Sequence, residues 1–134
     1  MRATGTFKVA AFTPAPVPSP AIATALPVGV ATMEKSFEGD IAGRSATLFT
    51  AAFDQNTGAG TYVAMESFEG ELNGAAGAFN FAHSATTLGT DREAEFLVIV
   101  PTSGTGALTG ITGTGGLAVD GDGTHRIWFD YEIP

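Results

Sequence analysis

The chain has 134 residues, 44% of them hydrophobic, no cysteine, and 14 acidic against 6 basic side chains for a net charge of −8. That length suits one domain burying roughly two thirds of its unfolded surface. The charge excludes a nucleic-acid binder, which needs a Lys/Arg stripe to displace counterions, and the missing thiols exclude cysteine nucleophiles and Cys-based zinc sites. No window approaches about 18 uninterrupted apolar residues, which excludes a membrane-spanning helix. The opening MRATGTFKVAAFTP lacks the continuous apolar core of a signal peptide, which predicts a cytoplasmic protein acting on something uncharged or apolar.

Thr4 to Phe12 alternates Phe7, Val9 and Ala11 against Thr6, Lys8 and Ala10, a first strand. Pro14, Pro16, Pro18, Pro20 and Pro27 then break it, because proline offers no ladder donor and fixes φ. The segment 13–27 is therefore expected to be an extended connection with Val17, Ile22 and Leu26 needing cover, either a strap on the outside of the molecule or a lid over its mouth.

Val28 to Glu38 and Ser45 to Phe53 read as the second and third strands. Thr61 to Thr87 folds back on Asn73-Gly74, whose two residues tolerate the positive φ that a tight hairpin turn requires. Tyr62, Ala64, Glu66 and Phe68 share one face of its first strand; Phe79, Phe81, His83 and Ala85 share one face of its second. This aromatic set is expected to face inward, taking Glu66 and His83 with it. A loop at Asn73-Gly74 pairs Glu66 with Phe81, and one at Gly74-Ala75 pairs it with His83; both leave the ionisable groups adjacent, and only an odd-length loop separates them.

An internal repeat links these strands. SFEGDIAGRS at 36–45 matches SFEGELNGAA at 67–76 at an offset of 31 residues, and GALTG at 106–110 echoes the core of the motif. Each copy is expected to mark a Gly-rich hairpin corner where the sheet bends and coils. Superposing the copies puts Lys35 where Glu66 sits, making Lys35 a candidate inward cation, although the opposite parity turns Glu34 inward instead. Glu93 to Val100, Ala107 to Val119 and His125 to Ile133 complete about eight strands, separated by turn signals at 54–60, 89–91, 103–106 and 120–123. The second half of EAEFLVIV is apolar on both faces, so both are expected to be covered. In the last strand Trp128 alternates against Ile127, Phe129 and Tyr131, and Trp128 outside together with Leu97 or Ile99 would make a contact between copies in a homo-oligomer.

These residues predict an all-β protein, a single antiparallel β-barrel of about eight strands over residues 1–134 without substantial helix. Such a barrel encloses a space that side chains fill or that holds one small ligand. A carboxylate beside an imidazole in an apolar interior makes an acid/base or ligand-orienting pair, so Glu66, His83 and Lys35 are the candidate catalytic residues. Tyr62, Phe68, Phe79, Phe81 and Tyr131 are the candidate walls that hold a hydrophobic small molecule. GTGALTG at 104–110 lacks the spacing and following helix of a dinucleotide site. DGDGT at 120–124 lacks the remaining ligands of a calcium loop, and His83 and His125 are too few and too far apart for a metal. No metal and no cofactor are predicted.

TGTFKV, KSFEGDIAG, YVAMESFEGELNG with GAFNFAHS, and VPTSGTGALTGITGTGG resemble, in order and spacing, a family of short bacterial proteins described as a domain of unknown function and grouped with the allene oxide cyclase-like barrels. The resemblance covers most of the chain except 13–27. It implies a calycin-like barrel and, by what some members of that group do, a cofactor-independent cyclase or isomerase acting on a hydrophobic small molecule, with Lys35, Glu66 and His83 at the matching positions. A non-catalytic small-ligand carrier and a filled-core structural barrel are the alternatives.

Overall fold

The computed structural model describes residues 1–18, 20 and 22–134; Ser19 and Ala21 of the Pro-rich connection lie outside the described residues. Eight antiparallel strands follow one another around a closed barrel: β1 (Arg2–Ala15), β2 (Val28–Gly39), β3 (Ile41–Asp54), β4 (Ala59–Leu72), β5 (Ala75–Leu88), β6 (Asp91–Ile99), β7 (Thr112–Val119) and β8 (His125–Glu132). The wall is uneven. β4 and β5 pair from Gly60↔Thr87 to Leu72↔Ala75, whereas β6 and β7 share the single bridge Val98↔Thr114. Among the described residues no helix is long and apolar enough to cross a membrane.

The Asn73-Gly74 turn forms as its residues require, with φ of 49° and 85°, and sets the register Glu66↔Phe81 and Ala64↔His83. Phe7, Phe37, Phe68, Phe79, Phe81 and Phe129 all point inward and pack in tilted and edge-to-face pairs; the Phe81 and Phe129 rings lie 5.1 Å apart at 77°. Of the repeated segments, the first turns the chain from β2 into β3 at Asp40 and the second brings Leu72 opposite Ile41, both fully buried. The third is not a hairpin corner. Gly106–Leu108 is one turn of 3₁₀ helix tucked under the barrel, its buried Leu108 closing that end, so β7 begins at Thr112 rather than at 107. This plug approaches β5 so closely that a Cβ on Gly77 would lie 2.1 Å from the Thr105 carbonyl oxygen.

Two further expectations need correction. Thr13, Pro14 and Ala15 belong to β1 instead of to the connection, with Pro14 opposite Ala31. Proline is tolerated there because β8 pairs with β1 only through Phe7, leaving the upper part of β1 with one neighbour and a free edge. Leu97 and Ile99 do not face outward: they are 3% and 1% exposed, and the outer face of β6 carries Phe96 and Val98 at 49% and 38%. The reason is a β-bulge, in which Ala94 and Glu95 together oppose Ala85 between the pairs Thr86↔Glu93 and Ser84↔Phe96, with Ala94 at φ 52°. The extra residue reverses the in/out alternation along the strand. Trp128 does face outward, half-buried over Gly116.

Candidate functional site

Alternation along β2 turns Lys35 inward with Phe37, and Glu34 stays outside. β3 contributes Ser45 and Thr47, opposite Lys35 and Glu66 respectively. Glu66 on β4 and His83 on β5 lie diagonally across their hairpin. The result is a polar cluster in the middle of the barrel with Lys35, Glu66 and His83 only 4%, 0% and 3% exposed. Burying such charges without compensation costs several kcal/mol each, and here the carboxylate meets three side chains. Its Oε1 accepts from Lys35 Nζ and from His83 Nε2 at 2.7 Å, and its Oε2 accepts from Ser45 Oγ at 2.8 Å. Burial pushes the Glu66 carboxyl up, but the His83 hydrogen bond and the charge and hydrogen bond of Lys35 outweigh it and leave the group below its ordinary value. Thr47 Oγ1 beside it is buried without a hydrogen-bond partner.

The cluster rests on the aromatic core. The Lys35 ammonium sits 4.7 Å from the centroid of the Phe7 ring, and the His83 ring stacks on Phe81 at 5.6 Å. On the opposite side, the Tyr62 hydroxyl and His83 Nδ1 are hydrogen-bonded at 2.9 Å. Glu66, ionised, can only accept, so Nε2 carries a proton toward it, and in the neutral imidazole this leaves Nδ1 to accept from the phenol. The Tyr62 ring is stacked by Phe49 at 5.4 Å and 20°, and Phe12 meets Phe49 edge-on. Burial raises the Tyr62 phenol above its ordinary value, opposed by a hydrogen bond and charge from Arg92, whose Nη2 lies 3.4 Å from the hydroxyl oxygen.

Above Tyr62 the barrel opens into a cavity of about 530 Å³, walled mainly by apolar side chains including Phe12, Pro14, Pro27, Val30 and Phe53, with Gln55 and Thr87 as polar groups. The small residues Ala31, Ala51 and Ala85 leave this room. Pro14 and Pro27, which flank the Pro-rich connection, place that connection beside the mouth.

Of the residues singled out in the sequence, Glu66, His83 and Lys35 come together and Tyr62 joins them, but only Tyr62 lines the cavity. Phe68, Phe79 and Phe81 fill the lumen below the cluster, and Tyr131 packs in the same core with its hydroxyl accepting from Asn73 Nδ2 at 2.9 Å. Ser45, Phe49 and Arg92 were not legible as site residues. Ser45 and Phe49 share the inward parity of β3, a signal present in SATLF, whereas Arg92 depends on the bulge. Among the described residues no three His, Asp or Glu side chains gather as a metal ion would require.

Comparison with known proteins agrees with this architecture. The sequence model of a family described as protein of unknown function (DUF3224) matches residues 3–131. A crystal structure of a DUF3224 protein of unknown function from Shewanella oneidensis MR-1 is similar over 100% of this chain and 98% of its own, with 30% identity and a TM-score of 0.84. No curated protein matches the chain.

Proposed function

The chain belongs to the DUF3224 family, whose description carries no activity, and we propose from the site itself that it is a cofactor-independent isomerase or cyclase for a hydrophobic small molecule. One observation carries the reading: the hydroxyl of Tyr62, the residue that lines the cavity, is hydrogen-bonded to a buried imidazole whose other nitrogen meets a carboxylate. The cavity volume falls within the range typical of small-ligand sites, which favours a ligand over a filled core. Its walls suit an uncharged, largely apolar molecule.

The chemistry follows from the hydrogen-bond directions. A substrate C–H bond acidified by an adjacent carbonyl gives its proton to the Tyr62 oxygen as the Tyr62 hydroxyl proton moves to His83 Nδ1. The imidazolium so formed is paired with the Glu66 carboxylate, which Lys35 and Ser45 keep ionised. Reversing the relay delivers the proton to a different substrate atom. One C–H bond breaks, another forms, and no net proton, electron or co-reactant is needed. Tyr62 is the catalytic residue in this scheme; His83 accepts and returns the proton behind it, and Glu66 and Lys35 position and charge His83.

The test uses β,γ-unsaturated ketones, whose conversion to conjugated enones appears as a rise in ultraviolet absorbance. Wild-type protein is expected to accelerate conversion, and Tyr62→Phe to lower the rate at least about 100-fold while still binding the uncharged fluorophore N-phenyl-1-naphthylamine. Full turnover by Tyr62→Phe refutes the assignment. The second reading, a non-catalytic carrier, is favoured by the seclusion of Glu66 and His83 beneath Tyr62, and predicts that bound ketones are recovered unchanged.

A further inference from the structure

We propose that Arg92 is a positioning residue for Tyr62, turned into the barrel by the bulge at Ala94 so that its guanidinium orients the phenol oxygen and shares the negative charge developing there. This deepens the proposed role of Tyr62 and rests on it. Leu97 and Ile99 are inward, so unbroken alternation would turn Glu93 inward at the level of Thr87 and leave Arg92 outside. Instead the register places Arg92 opposite Thr87, and Glu93 pairs with Thr86. The device that makes the difference is Ala94 in the left-handed region at φ 52°, a conformation an L-residue adopts at a cost of about 1–2 kcal/mol. Strain of this kind persists where the surrounding structure holds it in place.

The rest of the geometry fits that role. Arg92 Nε is bound by the Glu95 carboxylate, which sits on the bulge itself and steadies the side chain. Nη2 points to the Tyr62 oxygen at 3.4 Å, and the guanidinium carbon lies 5.9 Å from the centroid of the Tyr62 ring. The Tyr62 oxygen thus accepts from Arg92 while donating to His83. Arg92 lines a separate slot of about 180 Å³ beside β6 and β7, shared with Glu95, Leu117 and Trp128, and does not line the main cavity. It therefore acts through Tyr62 instead of on the ligand. The charged and titratable groups around the phenol are Arg92 and Glu95 on β6, His83 on β5, Glu66 on β4 and, beyond Glu66, Lys35 on β2. Of these, Arg92 opposes the upward push of burial on Tyr62, whereas the negative charges of Glu66 and Glu95 add to it.

The chain has two tyrosines, which makes the test direct. In a Tyr131→Phe background the absorbance near 295 nm on alkaline titration reports Tyr62 alone, with no ligand present. Arg92→Gln is expected to raise that midpoint by about one unit or more, and Arg92→Lys, whose ammonium loses its own proton in the same pH range at about 10.4, to raise it as well. A midpoint that Arg92→Gln leaves unchanged overturns the inference. Arg92→Lys alone decides if the Gln variant does not fold: a midpoint at the background value then overturns it, and a raised one supports it. Because the titration needs no substrate, a flat result removes only the role of Arg92, and failure of the ketone and fluorophore experiments removes only the reading of the cavity.

Discussion

Replacing Lys35 by methionine removes a charge with little change in volume, and so isolates what the ammonium does for Glu66. Neither group is screened by solvent, since Lys35 is nearly and Glu66 fully buried. Removing one partner of such a pair costs about 3–5 kcal/mol, a large share of the ~5–15 kcal/mol by which a domain is stable. The pH dependence is more diagnostic than the size. In the wild type the Glu66 carboxyl is depressed: burial raises it, but His83 and Lys35 outweigh burial. With an unfolded value of about 4.3, the pair contributes stability fully above that pH, and the contribution is lost as pH falls through the lower folded value. Without Lys35, only the His83 hydrogen bond and charge oppose burial, and the folded value rises from its wild-type position. Over the pH range between the two folded values the variant's native state holds a proton that the wild type has released, so it gains less stability than the wild type as pH rises. The gap between the two proteins therefore widens with pH, by up to about 1.4 kcal/mol per unit, and narrows toward acid. Urea unfolding followed by Trp128 fluorescence between about pH 3.5 and 7 measures it. A gap below about 1 kcal/mol at neutral pH, or one that stays flat across the window, refutes the reasoning.

Gly29 lines the cavity from β2, and a Cβ there meets nothing closer than the Ala51 carbonyl oxygen at 3.9 Å. Gly29→Phe is expected to occupy roughly 130 Å³ of the cavity and abolish fluorophore binding while the melting temperature stays within a few degrees; unchanged binding would put the fluorophore elsewhere. Ala94→Gly keeps the bulge and relieves its left-handed strain, so chemical unfolding should show stability unchanged or higher by up to about 1 kcal/mol. A loss larger than that would mean the bulge does not form.

The inward face of the central hairpin was legible because four of its eight positions, Tyr62, Phe68, Phe79 and Phe81, are aromatic, and the Asn73-Gly74 turn fixes parity without help from the rest of the chain. The repeat made Lys35 a candidate for that parity with Glu34 as its alternative, and Lys35 is the one that faces inward. Legibility stopped where local chemistry does not announce a break in alternation. A bulge on alanine carries no glycine to mark it, so Leu97 and Ile99 were assigned to a face they do not occupy and Arg92 was passed over. Pro14 reads as a strand breaker, yet a proline costs a strand only the bond its missing N–H would have made, and the upper edge of β1 has no neighbour to receive one. The placement of the cavity at the mouth was equally hidden. It depends on Phe68, Phe79 and Phe81 filling the space below the cluster while three alanines leave the space above it open, a contrast set by strand stagger more than by any one strand.

The ion pair at the centre joins two positions that the repeat makes equivalent: Lys35 and Glu66 precede the matching SFEG segments 31 residues apart, and their side chains meet. Phe37 and Phe68 also meet, with ring centroids 5.4 Å apart, and Ile41 lies opposite Leu72. Two identical segments placed this way would set phenylalanine against phenylalanine at no penalty, but lysine against lysine or glutamate against glutamate in a site closed to water. The apolar positions are indifferent to symmetry and the charged position forbids it. The polar cluster thus exists only because the two copies differ at that one residue, so exchanging Lys35 and Glu66 keeps the pair while moving the carboxylate away from His83.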